Sequence, residues 1–111
     1  MRMNEPFVGN WTLDEHGHLK DPAQWTRAFG QAVADHEGIT LTDDHWWLIE
    51  WVRAYWLRYG NPPLMRTVVQ AVRDHKADPN LGSAVLYGWF SEHPIREACR
   101  LGGLPKPDWC L

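Results

Sequence analysis

The stretch Thr42-Asp43-Asp44-His45-Trp46-Trp47-Leu48-Ile49-Glu50-Trp51-Val52-Arg53-Ala54-Tyr55-Trp56-Leu57-Arg58-Tyr59-Gly60 decides the fold. Thr42 is a good N-cap, and Asp43 and Asp44 fall in a first turn where the helix dipole favours acids. Gly60-Asn61-Pro62 stops the run. Trp46, Ile49, Val52 or Arg53, and Trp56 mark one stripe at helical spacing, while Leu48, Trp51 and Tyr55 mark an adjacent one. A helix apolar on most sides has to be covered by other elements, so this one is expected at the centre of a bundle.

Toward the N-terminus, Asp21 reads as an N-cap, Pro22 suits a first helical position, and Gln24 completes a box-like pattern. A helix is expected from there to about His36, with Trp25, Phe29 and Val33 on one face and Gly38 at its end. Before it, Phe7-Val8-Gly9-Asn10-Trp11-Thr12-Leu13 reads as a short hairpin with Gly9-Asn10 as the turn. Toward the C-terminus, Pro63 opens a third helix to about His75, with Leu64, Val68 and Val72 inward and Arg66 and Arg73 on an outer face. Residues 76–82 read as a loop. Ser83 can cap a short fourth helix through Leu86, Tyr87 and Phe90, and Pro94 opens a fifth that Gly102 ends. The fold class is therefore mainly α, with α+β character. It is expected as a compact bundle of about five helices with a small N-terminal β-hairpin. One domain spans residues 1–111: hairpin region 1–20, bundle 21–101, and a mobile C-terminal arm over 102–111.

With 111 residues there is room for one core but not for a roomy enclosed active site. No apolar run approaches the roughly 20 residues of a membrane span, and the first residues lack the apolar stretch of a signal peptide. The expected location is the cytoplasm, where thiols stay reduced unless their chemistry is catalytic or regulatory. Asp108, not cysteine, stands fourth from the end, which excludes C-terminal prenylation. The net charge of −3 argues against a dedicated nucleic-acid binder. The charge is uneven, however. Residues 28–52 carry no Lys or Arg, and residues 53–73 carry Arg53, Arg58, Arg66 and Arg73 with no acid. That asymmetry suits docking to a charged protein surface, or simply describes two solvated faces.

Both cysteines lie near the end. Cys99 falls on the fifth helix, where it is either a small core residue or a reactive thiol, and Cys110 is penultimate. Gly102-Gly103 allow a sharp turn, and Pro105 and Pro107 favour an extended, stiff arm. Eight extended residues reach at most roughly 26–29 Å, so Cys110 can enter a partner's active site. The same arm can fold back on Cys99, since a disulfide needs Cα atoms roughly 4.4–6.8 Å apart. A thiol acts as the thiolate. The neighbouring Leu111 carboxylate disfavours a second negative charge, and Lys106 offsets this only weakly. Cys110 is thus expected to be activated inside a partner's site.

The spacing Cys-x10-Cys with the second cysteine penultimate, and Gly103-Leu104-Pro105-Lys106-Pro107 between, resembles the DsrC/TusE sulfur-carrier family. The likeness extends to Asp14-Glu15-His16-Gly17-His18-Leu19, Gln24-Trp25, residues 37–42 with His45-Trp46, Pro63-x-x-Arg66 and Leu86-Tyr87. Members resembling TusE usually keep only the penultimate cysteine, and those resembling DsrC keep both. This chain has both and so leans toward DsrC. The resemblance implies that Cys110 holds sulfur as a persulfide and hands it to or from a partner enzyme. The protein would be a co-substrate rather than an independent enzyme, with no cofactor beyond the covalent sulfur. Cys99 would resolve the persulfide by forming a disulfide, or bridge a sulfur between the two thiols.

On the DsrC side the implied partner is a siroheme sulfite reductase or another enzyme of sulfur metabolism. On the TusE side it is a sulfur-relay donor complex and a tRNA thiolase acting at the wobble uridine. Arg66 is a candidate contact for an anionic sulfur species or a partner carboxylate, against a surface ion pair. Tyr87 is a candidate lining for the surface under the tail, against core packing, and Lys106 is a candidate contact for an anion or a partner. Trp109 stands where relatives resembling DsrC usually have a small residue, and Phe90-Ser91-Glu92-His93-Pro94 departs from a glycine-containing version.

Other chemistries find little support. The six histidines include His16-x-His18, but no three or four ligands stand at zinc-like spacing. No Ser-His-Asp set, paired-carboxylate motif or glycine-rich phosphate loop is present. The second and third helices imitate a helix-turn-helix, yet their apolar residues are needed for the core. The alternative from another class is a redox-regulated module, binding DNA or protein, whose tail disulfide changes its surface.

Overall fold

The computed structural model describes residues 7–8 and 10–107, with side chains from Asn10 onward. Strands β1 (Phe7–Val8) and β2 (Trp11–Thr12) pair antiparallel, with Phe7 opposite Thr12 and Val8 opposite Trp11. This is the register of a two-residue turn. Gly9 of that turn lies outside the described residues. A bridge between Leu13 and Leu19 continues the pairing, and both leucines are buried.

Asp21 does cap a helical turn, accepting from the Ala23 N–H at 3.0 Å, but the turn is a 3-10 piece, Pro22–Gln24. The expected continuous helix from residue 21 is broken at Trp25, whose backbone is extended (φ −67°, ψ 138°). Helix α1 begins only at Arg27 and runs to Glu37. The reason is tertiary: with the backbone extended at this point, the Trp25 indole donates to the Leu101 carbonyl at 2.8 Å. Trp25 is therefore not on the helix face with Phe29 and Val33.

Helix α2, Asp43–Tyr59, has the bounds that its sequence announces. Thr42 N–H donates to His45 Nδ1 at 3.0 Å, so the other ring nitrogen carries the hydrogen, which it gives to the Trp89 carbonyl at 2.7 Å. A histidine here plays the part of the usual Glu or Gln in a capping box and also ties the start of α2 to the end of α4. Leu48, Ile49 and Val52 are its buried residues. Trp47, Trp51, Tyr55 and Tyr59 form a ladder up one side, and His75 stacks on Trp47 at 4.3 Å between centroids.

Helix α3 (Met65–Lys76) buries Val68, Val69 and Val72. Leu64, expected inward, is its N-cap and is exposed, because the helix starts one residue after it. Arg73, expected on an outer face, spends its guanidinium on the Leu81 carbonyl at 2.6 Å and so closes the loop over residues 76–82. Helices α4 (Ala84–Trp89) and α5 (Pro94–Leu101) complete the bundle. Each of the more extensive helix–helix contacts includes α5, which packs against α1, α2 and α4. The longest helix was expected at the centre; the short amphipathic α5 holds that place, with Ile95, Ala98, Cys99 and Leu101 inward. Among the described residues no helix is long and apolar enough to cross a membrane.

Candidate functional site

Helix α5 ends in a turn that sequence reading takes for the root of a free arm. Gly103 has φ 73°, its N–H bonds the Arg100 carbonyl at 3.4 Å, and the Leu104 N–H bonds the Cys99 carbonyl at 2.9 Å. These two bonds define a Schellman motif, in which the residue after the left-handed glycine folds back on the helix. Leu104 is that residue and is fully buried in the core. The chain then stays against the body: Pro107 is buried, Lys106 is half-buried, and Pro105 is exposed.

Three side chains from distant positions lock this turn. Arg53 donates to the Gly102 carbonyl and to the Pro22 carbonyl, both at 2.9 Å, and its guanidinium lies 4.7 Å over the Trp25 ring. Burial pushes the pKa of that guanidinium below its ordinary value. Trp25 holds Leu101 through its indole N–H. His18 Nδ1 donates to the Leu104 carbonyl at 2.7 Å; because the partner is a carbonyl, Nδ1 carries the hydrogen. Burial lowers the pKa of His18, outweighing the Leu104 hydrogen bond that raises it, so the neutral ring is the native form. The glycines are required by space as well as angle. A Cβ at Gly102 would stand 2.9 Å from the Ala98 carbonyl oxygen, and one at Gly103 would stand 2.6 Å from the Trp25 ring.

The expected mobile arm over 102–111 is therefore fixed through its first half. Proline and glycine announce the end of a helix, and they say nothing against packing. Cys110, Trp109 and the Leu111 carboxylate lie outside the described residues. Cys110 stands three positions after Pro107, a step of at most about 10–11 Å, much less than an arm starting at Gly102 would give.

Cys99 is fully buried in the core beside Leu104. With no exposed surface, its thiol reaches bulk solvent only when the packing around it opens. Lifting Leu104 out of the core costs about 1.5–3 kcal/mol in burial alone, which makes the open form a minor population. Arg66 and Tyr87 are exposed on α3 and α4, and neither lines the tail's root. Arg66 makes no ion pair among the described residues, and Tyr87 is 48 % exposed rather than packed in the core.

Lys106 does meet other charged groups. With His16, His18, Arg96, Glu97 and Arg100 it lines a cleft of about 190 Å³ beside the tail's root. Arg100 is only 13 % exposed and grips Glu37 at 2.6 and 2.6 Å and Glu97 at 2.7 and 3.2 Å. Burial works against its charge, but the Glu37 and Glu97 hydrogen bonds prevail and raise its pKa. Among the described residues no three His, Cys, Asp or Glu side chains gather as metal ligands would. Sequence reasoning missed Arg53, His18 and Arg100 as parts of the site. The available signal was Gly103 followed by apolar Leu104, the sequence form of a Schellman turn.

The DsrC like protein family model matches residues 9–111 of the chain. The sulfurtransferase TusE of Yersinia pseudotuberculosis is 35% identical over 98 residues, covering 88% of this chain and 91% of the relative. The Escherichia coli sulfurtransferase TusE is 33% identical over 98 residues, covering 88% and 90%. The solution structure of Allochromatium vinosum DsrC superposes with a TM-score of 0.82 at 29% identity, covering 96% of this chain and 98% of that one. The oxidized gamma-subunit of dissimilatory sulfite reductase (DsrC) from Archaeoglobus fulgidus superposes with a TM-score of 0.80 at 30% identity, covering 96% and 99%.

Proposed function

The chain belongs to the DsrC/TusE family of sulfur carriers, and on that premise we propose that Cys110 holds the transferred sulfur as a persulfide. The Cys110 thiolate attacks the outer sulfur of a donor persulfide. The donor's S–S bond breaks, a new S–S bond forms on Cys110, and the donor leaves as a thiolate. Delivery is the same exchange in reverse, with an acceptor thiolate attacking the outer sulfur. Neither step needs an outside oxidant, and neither needs a cofactor. A location in the cytoplasm, where free thiolates persist, belongs to this proposal.

The burial of Cys99 carries the choice of mechanism. Transfer through Cys110 alone asks nothing of the buried Cys99, so single-thiol relay, the mode of a TusE-like step feeding a tRNA thiolase, is the reading that this burial favours. The two-thiol mode, in which Cys99 attacks the inner sulfur of the Cys110 persulfide and releases sulfide, is kept as the second reading. Cys99 stands on the helix whose last turn Leu104 closes, so undocking that residue gives the exposure which a disulfide demands. In that mode the partner is an enzyme such as a sulfite reductase. The chain's relatives include both TusE proteins and DsrC structures. Intact-mass measurement after exposure to a persulfide donor tests the proposal. A gain of one sulfur atom is expected in the native chain and in Cys99→Ser but not in Cys110→Ser. A gain that survives Cys110→Ser contradicts the assignment.

A further inference from the structure

Among the described residues, the cleft beside the tail's root has more cations than acids to pair with them. Arg100 is committed to Glu37 and Glu97, and Glu97, the one acid of the cleft, is committed in return. The Nδ1–H of His18 is committed to Leu104. Arg96 and Lys106 remain, half-buried and without an ion pair among the described residues, with exposed His16 at the rim. Every lining residue is polar or charged, so an apolar guest gains nothing there. An anion gains two charge-assisted hydrogen-bonding partners in a partly desolvated recess. The volume of about 190 Å³ suits an anion of a few heavy atoms.

We propose that this cleft is a binding site for a small dianionic oxyanion of the sulfite, thiosulfate or phosphate type. Arg96 and Lys106 are its charged contacts. Choosing the sulfur oxyanions over phosphate rests on the carrier reading, since Lys106 stands only four residues before Cys110 in sequence.

The test titrates the full chain separately with thiosulfate, sulfate and phosphate at constant ionic strength, followed by amide chemical shifts. Saturable shifts at His16, Arg96 and Lys106 with thiosulfate and sulfate are expected. Binding should weaken about tenfold in Arg96→Gln and in Lys106→Gln, and should be kept in Lys20→Gln, which removes an exposed charge outside the cleft. Non-saturating shifts, or equal weakening in Lys20→Gln, overturn the site. Saturation by phosphate alone overturns the sulfur assignment. The melting temperature of each variant checks the fold, and Lys106→Gln, at a half-buried position outside any helix, keeps the test open should Arg96→Gln unfold. Cys110→Ser should bind the anions as the native chain does. Anion binding without sulfur loading sinks the carrier reading alone, and loading without anion binding sinks this inference alone.

Discussion

The two ends of α5 are built to different standards. At its start, His93 sits in the left-handed region (φ 45°), and no side chain caps the first turn. An open recess lined by Ile39, Trp89, Glu92 and Arg96 lies alongside. At its end, a glycine takes the left-handed angle, a leucine plugs the core, and the side chains of His18, Trp25 and Arg53 hold the carbonyls of Leu104, Leu101 and Gly102. Strain is tolerated at the end that carries nothing and removed at the end that carries the thiol. A nucleophile on a short tether is aimed only as well as its anchor is fixed.

The strongest way to break this contrast is Gly103→Ala. The substitution meets both the positive φ and the Trp25 ring, and should cost about 3 kcal/mol by denaturant unfolding. A loss within the noise would show that the turn is not fixed. Next comes Arg53→Met, which keeps the aliphatic stem but leaves the Gly102 and Pro22 carbonyls without their donor. A loss of about 2 kcal/mol is expected, measured the same way. At the other end of the helix the sign should reverse: His93→Gly relieves the left-handed strain and should stabilise by about 1 kcal/mol. If His93→Gly destabilises, the start of α5 is not the strained end.

The gentlest effect is a dependence on pH. The folded-state pKa of His18 lies below its ordinary 6.5, so the unfolded chain binds the extra proton first. Its contribution is complete above pH 6.5 and is lost as pH falls below that value. Unfolding midpoints on either side of pH 6.5 should show the slope in the native chain and a smaller one in His18→Gln.

Much of this was legible in the residues. The α2 boundaries follow from Thr42 and Gly60, and the family follows from the tail motif. What escaped was set by contacts between distant residues. Trp25 has the spacing of a helix face, but its indole is drawn to Leu101, and that ends the helical run before α1. Leu64 has the spacing of a core residue but falls one position outside the helix that would have turned it inward. Gly102-Gly103 read as a sharp turn opening a mobile arm, whereas Trp25, Ile49 and Ala98 surround them so closely that only glycine fits. Local signals mark where regular structure stops, and only the packed neighbours decide whether the chain beyond is held.

The most direct measurement is native-state alkylation, with adducts counted by intact mass and located by peptide mapping. One adduct per chain is predicted, at Cys110, with Cys99 modified only after denaturant is added or in Leu104→Ala, which removes the plug. Modification of Cys99 in the native chain at a rate matching Cys110 would contradict the sealed thiol and return the two-cysteine exchange to first place.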